Sequence, residues 1–285
     1  MKINVSTYIP GNSPVHSCDA RVKILLLIVY SVTIFCVQTW RGLGLCALMF
    51  LVVALASRVP MQRYFSLLVP VYVLAGFTVL FNSFSFDISS VSAYGGSTGL
   101  GDVSAGVLEG FEPVALIGSF GFLPEGFARG CFYAVRIILL VVMSLVLTYT
   151  STSTDLTAAF TSFLRPLRPL HVPVDDIAMV LSIALRFIPV TANEFASVHD
   201  AQWARGASFD EGSIWHRISV WATIFIPLFV NLFRRADVLA VAMDARCYGA
   251  PGVVRSSLNE QRMSVSAVAT LVVGVVLCVA VAQLL

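Results

Sequence analysis

Lysine is almost missing from this chain. Of its 18 basic residues only Lys2 and Lys23 are lysines, and neither follows a glycine-rich turn. A P-loop needs such a lysine to meet the phosphates of a nucleotide, so ATP hydrolysis by this chain is excluded. Charge of either sign is scarce: 12% of the residues are charged, against about 25% in soluble domains. A net charge of +2 is too small to suggest nucleic acid. The cysteines, Cys18, Cys36, Cys46, Cys131, Cys247 and Cys278, form no CxxC pair and read as small hydrophobes. His16, His171, His199 and His216 are scattered without metal-ligand spacing. Asp175 and Asp176 follow Pro173, where a carboxylate pair caps a helix and complements its dipole. The Asp-rich arrays that hold magnesium in intramembrane transferases are absent. No catalytic residue, metal site or cofactor is expected. No signal peptide is expected either, because the first apolar run starts only after the polar stretch 7–19.

What is present is apolar. The hydrophobic fraction is 58% and the mean hydropathy +0.86, an excess that lipid rather than a soluble core explains. Five stretches read as membrane spans: Val22–Val37, Leu43–Ala56, Phe65–Phe81, Phe127–Tyr149 and Val265–Leu285. Several are shorter than the roughly 20 residues a perpendicular helix needs. Pro70 inside the third is tolerable where neighbouring helices re-satisfy the freed backbone groups. Two further stretches, Ile177–Val190 and Ile218–Phe233, are ambiguous. The first carries Arg186, which at a bilayer centre costs about 2.5–3.5 kcal/mol, and both continue into charged helical sequence. They read as long helices with a wide apolar face, at or under the membrane surface.

With the N-terminus inside, Lys2, Arg21, Lys23, Arg58, Arg63 and every basic residue from Arg165 to Arg262 are cytoplasmic. Only Arg41 and Arg129 face outward. The long loop after Phe81 carries Asp87, Asp102, Glu109, Glu112 and Glu125 with no basic residue before Arg129, a strong positive-inside pattern. Its Gly- and Ser-rich part, 89–101, reads as a flexible connector. Arg129 and Arg136 share one face of the fourth span, the first snorkelling outward and the second paired within the bundle.

The most informative region runs from Asp155 to Gly252. Phe187-Ile188-Pro189 is followed by Ala201-Gln202-Trp203-Ala204-Arg205-Gly206-Ala207, and Phe225-Ile226-Pro227 by Val241-Ala242-Met243-Asp244-Ala245-Arg246-Cys247-Tyr248-Gly249. Each segment is a long apolar-faced helix ending in Ala-Arg, with a glycine at or just beyond the end. Small residues let the backbone approach a partner surface. An arginine near a helix C-terminus suits the dipole and offers a planar fork to a carboxylate. Glycine permits the left-handed ending. Chemistry alone leaves two readings open: docking tips, or arginines that snorkel to headgroups or cap their own helices.

Several motifs in order and spacing decide between them. Tyr8-Ile9-Pro10-Gly11-Asn12-Ser13-Pro14-Val15-His16 leads into Asp19-Ala20-Arg21-Val22-Lys23. Arg165-Pro166-Leu167 and Val172-Pro173 precede Leu181-Ser182-Ile183-Ala184-Leu185-Arg186-Phe187-Ile188-Pro189. Then come Ala204-Arg205-Gly206, Phe233-Arg234-Arg235-Ala236-Asp237 and Ala242-Met243-Asp244-Ala245-Arg246. By these stretches the chain resembles the transmembrane coupling (T) component of energy-coupling-factor transporters, over most of its length.

The resemblance implies an all-α integral membrane protein of about five transmembrane helices, with cytoplasmic coupling helices inserted before the last span. The organisation expected is a four-span region over 1–150, a coupling-helix domain over 151–262 and a final span over 263–285. It implies two ABC-type ATPase subunits and one or more substrate-binding S components as partners in a bacterial plasma membrane, importing a vitamin or a transition-metal ion. ATPase coupling would fall to Ala204, Arg205, Gly206, Ala245, Arg246 and Cys247. Arg186, Pro189, Arg234, Arg235, Asp237, Asp244 and Gly249 would support the coupling helices. The apolar faces of 177–190 and 218–233 would then form a platform for the S component. Cys247 departs from the family's usual glycine. Cysteine resists the left-handed conformation by about 1 kcal/mol or more, so the helix is expected to run on and turn at Gly249. A self-sufficient secondary carrier or channel is the alternative, disfavoured by the lack of paired broken helices or mid-membrane charges.

Overall fold

The computed structural model describes residues 11, 13–58, 68–85, 114–117, 120–122, 124–170, 173–207, 209, 213–249 and 265–283. The acidic residues of the long loop before Glu125 and its stretch 89–101 lie outside the described residues, as do 65–67 of the third expected span. The architecture is helical. In chain order come α1 (Ala20–Cys36), α2 (Trp40–Ser57), α3 (Val69–Ser83), strands β1 (Phe84–Ser85), β2 (Val114–Ile117) and β3 (Phe120–Phe122), and α4 (Pro124–Thr150). These are followed by α5 (Ser153–Leu164), a 3-10 turn (Arg165–Leu170), α6 (Val174–Ala204), α7 (Ile214–Asp244) and α8 (Val265–Gln283). The strands pair antiparallel in the order β1-β3-β2, an addition to the all-helical plan.

Among the described residues three helices are long and apolar enough to cross a bilayer: α2, α4 over Gly126–Thr150, and α8. The shorter apolar helix α3 has 15 residues, a rise of about 22 Å against a hydrocarbon core of ~30 Å. α1 has 17 residues and carries Arg21 and Lys23 in its first turn. Pro70 lies inside the third helix, as the sequence suggested. It sits in the first turn of α3, where the N–H it lacks would have no intrahelical partner anyway. The start of α2 is fixed by Thr39, whose hydroxyl accepts from the Gly42 N–H at 3.3 Å.

The chain divides into two compact units. One comprises Thr7–Phe160 with Met263–Leu285, and the other includes Thr161–Arg262. The first is a helix bundle. Its main core joins Tyr30, Ile34, Leu43, Cys46, Phe132, Leu139 and Val281, from α1, α2, α4 and α8. A second core gathers Leu68, Val142, Val146 and Tyr149. The Tyr30 hydroxyl, which would otherwise be stranded in this apolar setting, donates to the Cys46 carbonyl at 3.2 Å. Arg136 is paired within the bundle. Its guanidinium donates to the Val37 carbonyl at the end of α1 and lies 4.8 Å from the Phe132 ring centroid and 5.6 Å from that of Tyr133. The close crossing of α3 and α4 depends on Gly130, where a Cβ would fall 2.9 Å from the Val79 Cα.

In the second unit α6 and α7 are unbroken helices of 31 residues each, through Pro189 and Pro227. Each rises about 46 Å. Asp175 and Asp176 lie in the first turn of α6, where they complement its dipole. The cap position itself belongs to Pro173.

Candidate functional site

The C-terminus of α6 is closed by two backbone bonds. The Gly206 N–H donates to the Trp203 carbonyl at 2.9 Å, and the Ala207 N–H reaches back to Gln202 at 3.1 Å. Gly206 has φ +85°. This is a Schellman ending, which satisfies carbonyls that the last turn leaves without partners. Arg205 stands on its shoulder, one residue before the left-handed glycine.

α7 ends the same way. The Cys247 N–H donates to Asp244 at 2.9 Å, the Tyr248 N–H to Met243 at 3.1 Å, and Cys247 has φ +55°. Arg246 therefore holds the position of Arg205. The expectation that cysteine would push the turn on to Gly249 is corrected here: Cys247 takes the left-handed conformation itself. The two Schellman bonds form only if the residue after the arginine is left-handed. At about 0.5–1.5 kcal/mol each they offset the ~1–2 kcal/mol that a Cβ costs there. Gly249, at φ +81°, makes a second turn further on.

Both tips are open. Ala204, Arg205, Gly206, Ala245, Arg246 and Cys247 are all exposed, and Trp203 is 61% exposed. Among the described residues neither guanidinium makes a hydrogen bond or ion pair, so neither arginine caps its own helix.

The supporting residues are distributed along the helix pair. Arg235 meets Glu194 across α6 and α7 at 3.4 Å. Arg186, Pro189, Arg234, Asp237, Asp244 and Gly249 are exposed and are not brought together into one cluster. α6 and α7 meet where Ala184, Ile188 and Phe195 enclose an apolar hollow of about 370 Å³ with Leu228, and where Phe195 stacks near Trp221 at 6.3 Å. Beyond Phe195 and Arg235 each helix runs about another 14 Å to its C-terminus. The short connection 205–213 returns the start of α7 to the end of α6. The two arginines thus lie at different corners of the pair.

A group of residues behind the first tip was not legible in the sequence. Phe209 in the connection is only 4% exposed. It stacks on His199 at 4.8 Å and lies near Trp203 (6.4 Å) and Trp221 (5.6 Å). The Arg217 Nε donates to its carbonyl at 3.4 Å. Phe195, His199 and Trp203 recur every four residues, a stripe visible in the sequence. Phe209, alone in a loop, gave no signal. Together they wedge the connection between the helices and fix the direction in which Arg205 leaves α6.

The same helix pair carries a broad apolar face. Ile218, Ile226, Phe229 and Phe233 of α7 share one side of the helix at its 3.6-residue period and are all exposed, more than a surface in water normally tolerates. Among the described residues no group of three or more His, Cys, Asp or Glu stands together to hold a metal.

The sequence profile of the cobalt transport protein family (CbiQ) matches residues 11–256. The energy-coupling factor transporter transmembrane protein EcfT of Ruminiclostridium cellulolyticum is 35% identical over 89% of this chain and 86% of its own length. Its namesake in Brevibacillus brevis is 35% identical over 90% and 89%, and that of Clostridium kluyveri 33% over 92% and 89%.

Proposed function

The chain belongs to the CbiQ family, which includes the transmembrane proteins of energy-coupling factor transporters, and on that premise we propose that it is the coupling component of an importer driven by two cytoplasmic ATPases. It would pass their ATP-driven motion to a substrate-binding membrane protein, without binding nucleotide or substrate itself. The observation that carries this reading is the pair of matching helix ends. Each presents an exposed arginine, without a partner among the described residues, on a Schellman frame at a separate corner of the α6–α7 pair. Two such tips suit two separate partners. An arginine fork on a helix end suits a groove lined by carboxylates.

The exposed apolar face of α7 suits the substrate-binding partner, an apolar protein in the same bilayer. The cargo is a vitamin or transition-metal ion held by that partner. In this reading Ala204, Arg205 and Gly206 with Ala245, Arg246 and Cys247 make the ATPase contact. The Glu194–Arg235 pair and Pro189 keep the helices in their crossing geometry, and Arg186, Arg234, Asp237, Asp244 and Gly249 shape the cytoplasmic surface around them. The coupling unit lies on the cytoplasmic side of a bacterial plasma membrane with the N-terminus inside. Support comes from the basic residues Arg21, Lys23 and Arg58 at the ends of α1 and α2 and from the acidic loop at the other side.

The test is affinity purification of the tagged chain from its own membranes in mild detergent, with mass spectrometry of what accompanies it. Two P-loop ATPases and at least one small hydrophobic protein are expected. Recovery of the chain alone, where other ABC complexes survive, would favour a self-sufficient carrier and leave Arg205 and Arg246 as surface anchors.

A further inference from the structure

Four helix ends meet in the first unit. The starts of α1 and α8 and the ends of α2 and α4 enclose a cavity of about 470 Å³, within the range of small-molecule sites. Its lining changes character along its length. Ser17, Asp19, Lys23 and Thr150 stand at one end; Leu26, Leu27, Val53 and Leu147 continue deeper between the helices. That gradient runs the same way as the bilayer's own, from interface to hydrocarbon.

Lys23 is the central polar group. Its Nζ donates to the Thr150 carbonyl at 2.9 Å and to the Ser151 hydroxyl at 3.3 Å. An ammonium has three N–H donors, so one remains for a ligand. Besides the Cys18 thiol, the carboxylates of Asp155 and Asp19 are close enough to act on Lys23 electrostatically. Asp155 accepts from the Thr152 hydroxyl at 2.6 Å. Asp19 lines the cavity and forms no side-chain bond to the helix it precedes. A purely anionic headgroup would meet both carboxylates. A headgroup with a phosphate and an amine would satisfy the lysine and Asp19 together.

We propose that this cavity binds one zwitterionic membrane phospholipid, with its phosphate at Lys23, its amine at Asp19 and one acyl chain along Leu26, Leu27, Val53 and Leu147. The lipid fills space between helices that would otherwise lack contacts and ties together the four helix ends.

The experiment uses the full chain in detergent with phosphatidylethanolamine bearing a photoactivatable group on one acyl chain. Mass spectrometry then locates the adducts. Label is expected at Leu26, Leu27, Val53 and Leu147, in excess over the exposed Leu51, Phe77 and Val276. Ala56→Phe, which puts a ring into the cavity and leaves Lys23 itself unchanged, is expected to lower label at the cavity residues about tenfold, the equivalent of ~1.4 kcal/mol, and to spare the exposed ones. Unlabelled phosphatidylethanolamine should compete better than phosphatidylglycerol. Label spread evenly over the exposed faces would overturn the site. Equal competition by phosphatidylglycerol would overturn the zwitterionic assignment.

Discussion

Gly206 and Cys247 hold the same place in two different helix ends. Each follows an arginine, each is left-handed, at φ +85° and +55°, and each donates its N–H to the carbonyl three residues back at 2.9 Å. Their side chains differ, and so should the local stability of the two tips. A Cβ at Gly206 would meet nothing within 4 Å, so its cost is conformational only. Gly206→Ala should weaken the first ending by about 1 kcal/mol and Cys247→Gly should strengthen the second by a similar amount, roughly a fivefold change in opening. Hydrogen exchange at the Ala207 and Tyr248 amides reads this directly. Unchanged protection at both would mean that the left-handed residue does not limit either end.

The arginines at these ends should matter to transport and not to folding. Arg205→Ala combined with Arg246→Ala is expected to leave membrane insertion intact and to abolish uptake. Stripping one partner from a buried charge pair costs about 3–5 kcal/mol. Uptake assayed in cells beside the amount of inserted protein decides it; normal uptake in the double variant would sink the docking assignment.

The Glu194–Arg235 pair should behave as a modest strut. Both side chains are partly exposed and the contact is 3.4 Å long, so its loss in Arg235→Ala should cost no more than about 1 kcal/mol. Arg235→Glu, which sets like charges face to face, should lower uptake further, and the exchange Glu194→Arg with Arg235→Glu should restore it. A swap no better than Arg235→Glu alone would remove the pair from the coupling path.

Helix separation in the bundle is set at Gly130. A Cβ there would lie 2.9 Å from the Val79 Cα and 3.2 Å from its carbonyl oxygen, both backbone atoms that cannot turn aside. Gly130→Ala should therefore destabilise the purified chain by about 1–3 kcal/mol. Gly76→Ala on α3, where a Cβ meets nothing within 4 Å, is the matched control and should not. Thermal unfolding in detergent compares them, and equal midpoints would mean the two helices part at little cost.

Two cysteines outside the spans should label at different rates. Burial pushes the Cys18 thiol above its usual range, so it stays protonated at neutral pH and its thiolate appears only as pH rises further. Cys247 is exposed. In single-cysteine variants a maleimide should modify Cys247 quickly near neutrality, and Cys18 slowly with a rate that climbs through alkaline pH. Assembly with the ATPases should protect Cys247. Equal rates at neutral pH, or no protection, would count against the burial of one or the docking of the other.

The membrane class, the apolar helices and the two arginine-bearing ends were readable in the chain. Leu, Val, Ile and Phe in runs can be satisfied only by lipid or by each other, and the charge asymmetry of the loops follows from the cost of moving cations across a bilayer. The family motifs, from Tyr8 to Arg246, are local strings that survive without knowledge of the fold. Hydropathy does not tell a proline deep in a helix from one in its first turn, so the place of Pro70 at the start of α3 came from the fold.

What the sequence determined was composition along one dimension: which stretches avoid water and where arginines end long helices. Only the tertiary structure decided that Cys247 turns left-handed, because two backbone bonds across the helix end outweigh a preference that is local to one residue. It alone placed Phe209 against His199, seated Gly130 on the Val79 backbone and drew Lys23 to Thr150 across 127 residues of chain. Such contacts join positions that share no sequence period, and distance in space is what a linear pattern does not carry.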